Sequence, residues 1–315
     1  MLTQMDCCGI SDTGRRRPTN QDHYLIADLN KSLRVHSTSL NLNDETRIYG
    51  GSQGKLLVVA DGMGGEAAGE RASTIAVDQL ATYVLNSLSW CFRLEEQSEQ
   101  DFQDHLKEAL QSCQKSIRAV ASQNPEMNGM GTTMTMVYIV WPRAFVVHVG
   151  DSRCYLLRNS HLDQITDDHT MAALVARASQ VDCQQARKAS MGNALWKALG
   201  GRSDDLSVDV YKLSLEKGDV LLLCTDGVYD MVPHAKVEAI LNTAVDAEAA
   251  CRTLVEVANE NGGRDNITAI VSRFFSPTFD QARAFVEVEV PLEELTAPPS
   301  ETAETTVGFP AVERR

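Results

Sequence analysis

None of the 8 cysteines forms a Cys-X-X-Cys pair. Zinc-ribbon and thioredoxin-type readings therefore have no footing. No stretch approaches the ~18 uncharged apolar residues of a membrane span. The opening residues Met1–Arg17 also lack the apolar segment of a secretory leader. The expectation is a cytoplasmic chain with no membrane partner and with free thiols in a reducing compartment. Basic residues are scarce: 29 Lys and Arg against 43 Asp and Glu leave a formal net charge of −14. A nucleic-acid binder normally presents a basic face, so no nucleic-acid partner is expected. Trp90, Trp141 and Trp196 are scattered, without the aromatic interleaving of a base-stacking platform. The glycines Gly62, Gly64 and Gly65 are not followed by Lys-Ser or Lys-Thr, which removes the nucleotide P-loop.

What is present is a chain of 315 residues, 43% apolar, long enough for a sizeable core. Lys55–Ala60 is an apolar run closed by Asp61-Gly62 and reads as a buried strand entering a turn. Apolar residues then recur at helical spacing from Glu66 to about Leu88, and again from Asp101 to about Ala121. Thr132–Val140, Ala144–Val149 and Cys154–Leu157 read as consecutive antiparallel strands joined by tight turns. Met171–Leu199 reads as helical with breaks. Asp219–Cys224 is a further buried strand, and Pro233 suits the first turn of a helix reaching about Leu241. Ala247–Glu260 is another helix, and Ile267–Phe274 a closing strand. Helices, strands and helices in groups argue for a layered α+β domain. The polar stretch Asn30–Gly54 fits a loop or a long hairpin. A boundary near 275 divides residues 1–275, the domain, from 276–315. The latter, rich in Pro, Thr and Glu, reads as a mobile acidic tail, with Phe285–Val290 as a candidate edge strand.

The chemistry-bearing feature is a set of aspartates at strand ends beside glycine or asparagine: Asp61-Gly62, Gly150-Asp151, Asp226-Gly227 and Asp265-Asn266. Strand ends can converge on one rim. Carboxylates gathered there repel unless cations neutralise them, and hard oxygen ligands select Mg²⁺ or Mn²⁺. Asp-Gly is also an ordinary turn pair. Spacing alone leaves both readings open.

The ordered set of motifs narrows them. Ser11-Asp12-Thr13-Gly14 with Arg17, Asn20, Gln21 and Asp22 opens it. Asp61-Gly62-Met63-Gly64-Gly65, Gly131-Thr132-Thr133 and Val149-Gly150-Asp151-Ser152-Arg153 follow. Thr166-Asp167-Asp168-His169-Thr170, Cys224-Thr225-Asp226-Gly227 and Gly263-Arg264-Asp265-Asn266-Ile267-Thr268 complete it. Together they resemble the protein phosphatase 2C (PPM) family in its bacterial form, over about Met5 to Phe275. The resemblance implies an α-β-β-α sandwich of two antiparallel sheets flanked by helices. It implies hydrolysis of phosphoserine and phosphothreonine on proteins, with phosphorylated proteins as partners and two Mn²⁺ or Mg²⁺ ions, with a third in some states. Asp61 would bridge two ions, with the Gly62 carbonyl on one and Asp226 and Asp265 on the other. Asp151 and Asp226 would hold the third. Arg17 would bind phosphate oxygens as a fork of donors. Asp22 would order the water around the ions, and Asn266 would support that shell.

The chain departs from the family pattern at two places. Gln21 stands where the family commonly has glutamate, which removes a charge near one ion. Met63 stands where some members have a histidine able to protonate the leaving group. Two rivals stand beside this reading: a non-catalytic phosphoprotein-binding module of the same fold and a metal-dependent phosphatase of small phosphoesters. Outside the motifs, His148 reads as a core histidine on its strand. His169 reads as a local capping group or a substrate contact, and Arg15 and Arg16 as a solvated run.

Overall fold

Apolar runs without polar alternation require burial on both faces, and the strands of this protein obtain it by lying between a second sheet and a layer of helices. The computed structural model describes residues 4–34, 47–87, 96–179, 193–201 and 206–275. The tail 276–315, with the candidate strand Phe285–Val290, lies outside the described residues, as do Cys91, Cys183 and Trp90. One sheet is five-stranded, in the order β1 (Gln4–Asp12), β11 (Ile267–Phe275), β10 (Val220–Cys224), β7 (Arg153–Arg158) and β8 (His161–Gln164). The other runs β2 (Asp22–Arg34), β3 (Arg47–Met63), β5 (Met134–Val140), β6 (Arg143–Val149) and β9 (Asp209–Ser214). The two-residue β4 (Gly131–Thr132) pairs with the end of β3. Every pairing is antiparallel.

The period-two alternation of a strand sorts β3 between two cores. Leu57 and Val59 face the sheet interface, with Val137, Val146, Leu221, Leu223 and Ile270. Leu56 and Val58 face the other way, onto α1 (Glu66–Ser87) and α2 (Glu96–Gln123). In α1 the buried stripe is Ala68, Ala72, Ala76, Leu80 and Val84. Such small residues let a helix sit close to a sheet. Phe102 of α2 packs edge-on against Tyr138 and Phe145, with ring centroids 5.0 and 5.1 Å apart. A short helix, α3 (Met171–Ser179), lies after β8, and a helical turn, α4 (Asp226–Tyr229), follows β10. The opposite sheet is covered by α5 (His234–Thr243) and α6 (Ala247–Glu260). Asp246 caps α6, accepting from the Ala249 N–H at 2.7 Å.

The architecture is the α-β-β-α sandwich of two antiparallel sheets flanked by helices. The polar stretch between Asn30 and Gly54 belongs to a hairpin: β2 and β3 pair from Asp22↔Asp61 to Arg34↔Arg47. Its tip, 35–46, lies outside the described residues. One expectation is corrected. The segment after Val149 is no hairpin, because β6 and β7 belong to different sheets and Gly150–Ser152 carries the chain across the sandwich. Gly150 makes the crossing at φ +112°, and a Cβ there would stand 2.5 Å from the Thr133 Cβ. In the stretch expected to be helical with breaks, Met171–Ser179 is helix and 180–192 lies outside the described residues. Residues 193–199 are irregular and anchored by the bridges Thr132↔Leu199 and Thr170↔Leu195.

Candidate active site

The strand ends deliver the aspartates to one rim. Asp22 is the first residue of β2 and lies directly opposite Asp61, near the end of β3. Asp151 follows β6, Asp226 follows β10, and Asp265 precedes β11. With Arg17, Gln21, Gly62, Asn193 and Leu195, four of these aspartates (all but Asp22) line a cleft of about 450 Å³. A cleft of about 530 Å³ between β1 and α6 is larger. Its Arg15 and Arg252 stand among Asp12, Glu256 and Glu260, so it does not gather charge of one sign.

Threonines fix the carboxylate-bearing backbone. The Thr132 hydroxyl donates to the Asp61 carbonyl at 2.8 Å, while the Asp61 N–H donates to the Thr133 hydroxyl at 3.0 Å. The Thr225 and Thr268 hydroxyls both donate to Asp22 Oδ2, at 2.8 and 2.7 Å. These residues were legible only as motif letters. A hydroxyl one strand away from an aspartate leaves no mark in a linear sequence. Gly62 is required by close approach: a Cβ there would lie 2.2 Å from the Gly69 carbonyl oxygen and 2.8 Å from that of Gln21.

The electrostatics are those of crowded carboxylates. Burial pushes Asp22 up to about 6, against the pull of its bonds to Thr268 and Thr225. Burial also holds Asp61 well above the usual carboxylate range, with repulsion from Asp22, Asp226, Asp151 and Asp265 adding to it. Asp226 is raised in the same way, by burial and then by Asp151, Asp265, Asp230 and Asp22. Asp22 Oδ1 and Asp226 Oδ1 are buried without a hydrogen-bond partner, a condition normally costing about 1–3 kcal/mol each. Among the described residues lining the cleft the cation is Arg17, whose fork donates to Asp265 Oδ1 and Oδ2 at 2.8 and 2.6 Å. A guanidinium expected to grip phosphate is thus paired with a carboxylate, half-exposed at 49%.

Asn266 follows Asp265 and lines the same cleft. Its amide donates to the Thr13 and Thr19 carbonyls, both at 2.9 Å, and its Oδ1 accepts from the Gln21 N–H at 2.9 Å. Those bonds hold the loop that carries Arg17. Asn266→Ala is accordingly expected to raise KM for a phosphopeptide about tenfold or more, with a lower Tm. Steady-state kinetics and thermal melts check it; an unchanged KM would separate Asn266 from Arg17. His148 is a core group: it is fully buried, hydrogen-bonded to Thr135 and to the Asp167 carbonyl, and lowered to about 3 by burial.

Among the described residues, no group of three or more His, Cys, Asp or Glu side chains stands together as a ready-made metal cage. Mg²⁺ and Mn²⁺ sites do not require one, since Mg²⁺ in particular keeps several waters and takes one or two carboxylates per ion. Among the described residues the donors are oxygens, and neither cysteine nor histidine lines the cleft. The two partnerless buried oxygens are what such an ion and its water shell would satisfy, so the residues fit the group.

Residues 35–272 match the family model described as Protein phosphatase 2C. The chain belongs to the protein phosphatase 2C family. The serine/threonine phosphatase stp of Listeria innocua is 32% identical over 216 residues, covering 69% of this chain and 83% of that protein. The crystal structure of the Mycobacterium tuberculosis serine/threonine phosphatase PstP/Ppp superposes with a TM-score of 0.69 at 28% identity, covering 87% of this chain and 100% of that one. The PstP catalytic domain in complex with 2 manganese ions gives a TM-score of 0.68, again at 28% identity with 87% and 100% covered. Protein phosphatase 2C membership accounts for the sheet pair and for the common rim on which the aspartates meet.

Proposed function

We propose that this chain is a metal-dependent protein phosphatase that hydrolyses phosphoserine and phosphothreonine on proteins. The observation that carries the reading is the convergence of Asp22, Asp61, Asp151, Asp226 and Asp265 at strand ends, with buried oxygens on Asp22 and Asp226 left without partners. Asp61, the Gly62 carbonyl, Asp226 and Asp265 would hold two Mn²⁺ or Mg²⁺ ions, and Asp151 with Asp226 a third. When bound, the ions supply positive charge for the phosphoryl oxygens and a nucleophilic water near neutral pH.

The chain's own residues do the rest. Asp22, held through one oxygen by Thr225 and Thr268, keeps its other oxygen without a hydrogen-bond partner and would orient water beside the ions. Arg17 exchanges its pair with Asp265 for the two phosphoryl oxygens, aligning the ester for in-line attack. Asn266 keeps the Arg17 loop in reach. Asn193, Ala194 and Leu195 border the mouth, where residues flanking the phosphorylated side chain would lie.

Substrate class is tested by rates on a panel of phosphoserine and phosphothreonine peptides against small phosphate monoesters, each with Mn²⁺. The expected result is a preference for peptides in kcat/KM. Faster turnover of a small phosphoester would move the chain to that rival class.

We assign catalysis to residues 1–275. Truncation after Phe275 is expected to leave kcat within about twofold; a folded but inactive truncation would make the tail part of the machinery. The phosphoproteins acted on are proposed to be products of serine/threonine kinases. No helix among the described residues is long and apolar enough to cross a membrane. A cytoplasmic location is proposed from the thiols: Cys7, Cys8, Cys113, Cys154, Cys224 and Cys251 are free, as expected in a reducing compartment.

A further inference from the structure

Gly150 is the weak point of the turn that presents Asp151. It has no side chain, and its left-handed φ of +112° is a conformation from which a glycine peptide rotates readily. His169 grips both of its backbone groups. The His169 N–H donates to the Gly150 carbonyl at 2.8 Å, and the Gly150 N–H donates to His169 Nδ1 at 3.0 Å. Because Nδ1 accepts, the ring is neutral with its proton on Nε2. That proton is donated to Asp209 Oδ2 at 2.9 Å, while Lys197 donates to Asp209 Oδ1 at 2.9 Å. Asp209 is thus the acceptor that selects the tautomer. Lys197 Nζ lies 3.3 Å from Nε2, a contact between two donors that meet on the same carboxylate. Burial holds the ring below the usual histidine range, in keeping with a neutral acceptor. Downstream, the Asp151 carbonyl accepts from the Tyr229 hydroxyl at 3.0 Å.

We propose that His169 is a positioning residue for Asp151: it clamps both peptide groups of Gly150, with its tautomer set by Asp209 and Lys197, and thereby fixes where the Asp151 carboxylate stands. The inference rests on the reading of Asp151 as the ligand of a further ion. Lys197 sits in the segment that borders the mouth, and Trp196 donates its N–H to the His169 carbonyl at 3.0 Å. The clamp therefore joins the mouth of the cleft to the Asp151 turn.

Asparagine and glutamine separate the two ring nitrogens. The Asn Oδ1 falls near the place of Nδ1 and can accept from Gly150, whereas the Gln amide reproduces Nε2 and leaves Gly150 without an acceptor. The test uses full-length protein in three variants: His169→Asn, His169→Gln and His169→Ala. The first readout is amide hydrogen exchange of Gly150 in metal-free protein, resolved by NMR. The second is a calorimetric Mn²⁺ titration, with Asp151→Ala alongside. The inference expects Gly150 exchange to accelerate at least ~10-fold in the Gln and Ala variants and to stay near wild type in His169→Asn. It expects the weakest Mn²⁺ to bind about 10–100-fold less tightly in the Gln and Ala variants, with tighter ions retained. Unchanged Gly150 exchange in both the Gln and Ala variants overturns the clamp. Equal weakening in the Asn and Gln variants also overturns it, since the acceptor at Nδ1 would then not be what matters. An isotherm unaltered by Asp151→Ala instead overturns the metal reading of Asp151, and the exchange rates still decide the clamp.

Discussion

Asp61→Asn and Asp226→Asn are each expected to lower kcat on a phosphopeptide by roughly 10³-fold or more and, in the same proteins stripped of metal, to raise Tm. The two effects share one cause. In the folded chain these carboxylates are half-buried, shielded enough from water that desolvation raises both, and they face Asp22, Asp151 and Asp265. Like charges ~5 Å apart cost about 3 kcal/mol even at an effective dielectric of 20. An amide removes that repulsion, so the metal-free fold gains. Under the proposed function it would also remove a ligand whose charge holds a cation, and with it several kcal/mol of transition-state stabilisation.

The pH dependence has a definite sign. Asp22 titrates at about 6 in the fold against 3.8 for an ordinary aspartate. Through that window the folded protein keeps a proton that the unfolded chain has released. Stability therefore falls as pH rises, by on the order of 3 kcal/mol from Asp22. Asp61 and Asp226 are raised in the same direction. The gain in Tm of each variant over wild type should accordingly be larger at about pH 7 than at about pH 4.5. Thermal melts in chelator at both pH values decide it. A variant that melts below wild type at about pH 7 would mean the cluster is not under electrostatic strain.

Asp151→Ala is expected to act on one class of substrate more than another. A serine or threonine alkoxide is a poor leaving group and needs a proton in the transition state; a nitrophenolate does not. Met63 occupies the position where some relatives in the family carry a histidine acid, so this chain has no side-chain acid there. Under the proposed function, Asp151 would be the carboxylate that organises proton delivery. Turnover of a phosphothreonine peptide should fall ~100-fold or more, and that of an aryl phosphate by about tenfold or less. The quantity to measure is the ratio of the two kcat losses. Equal losses would place Asp151 in general ion binding rather than in leaving-group chemistry.

Most strands and helices were readable from the residues, which gave a layered α+β domain; the sandwich itself came from the family resemblance. Leu56–Ala60 and Val220–Cys224 are apolar without alternation because each strand is covered on both faces, and the stripes of α1 and α2 match their buried sides. The sheet to which each strand belongs was not readable. β6 and β7 are adjacent in sequence with a short glycine-containing link, the usual mark of a hairpin. The link instead crosses the sandwich, since Gly150 alone fits against Thr133. The rim of aspartates was visible because each sits beside a residue that ends a strand. Its electrostatics were not, since the repulsion depends on distances between residues far apart in the chain, such as Asp22 and Asp226. Nor did the sequence announce the Arg17–Asp265 pair or the ties of Asn266 to Thr13 and Thr19. Their partners lie more than 200 positions away and follow from β1 and β11 being neighbours. His169 looked like a capping group next to an irregular segment. Its part emerges only when Gly150, Asp209 and Lys197 are brought around it.

The central claim is that the aspartate rim works by holding divalent cations that hydrolyse phosphomonoesters on proteins. The most direct measurement is the initial rate of phosphothreonine-peptide hydrolysis by metal-stripped protein as Mn²⁺ is titrated back, with Asp61→Asn run in parallel. The expected result is no turnover in chelator, a saturable rise with Mn²⁺ in the wild type, and no rise over the same range in the variant. Full turnover in metal-stripped protein, or an equal Mn²⁺ response from Asp61→Asn, would contradict it.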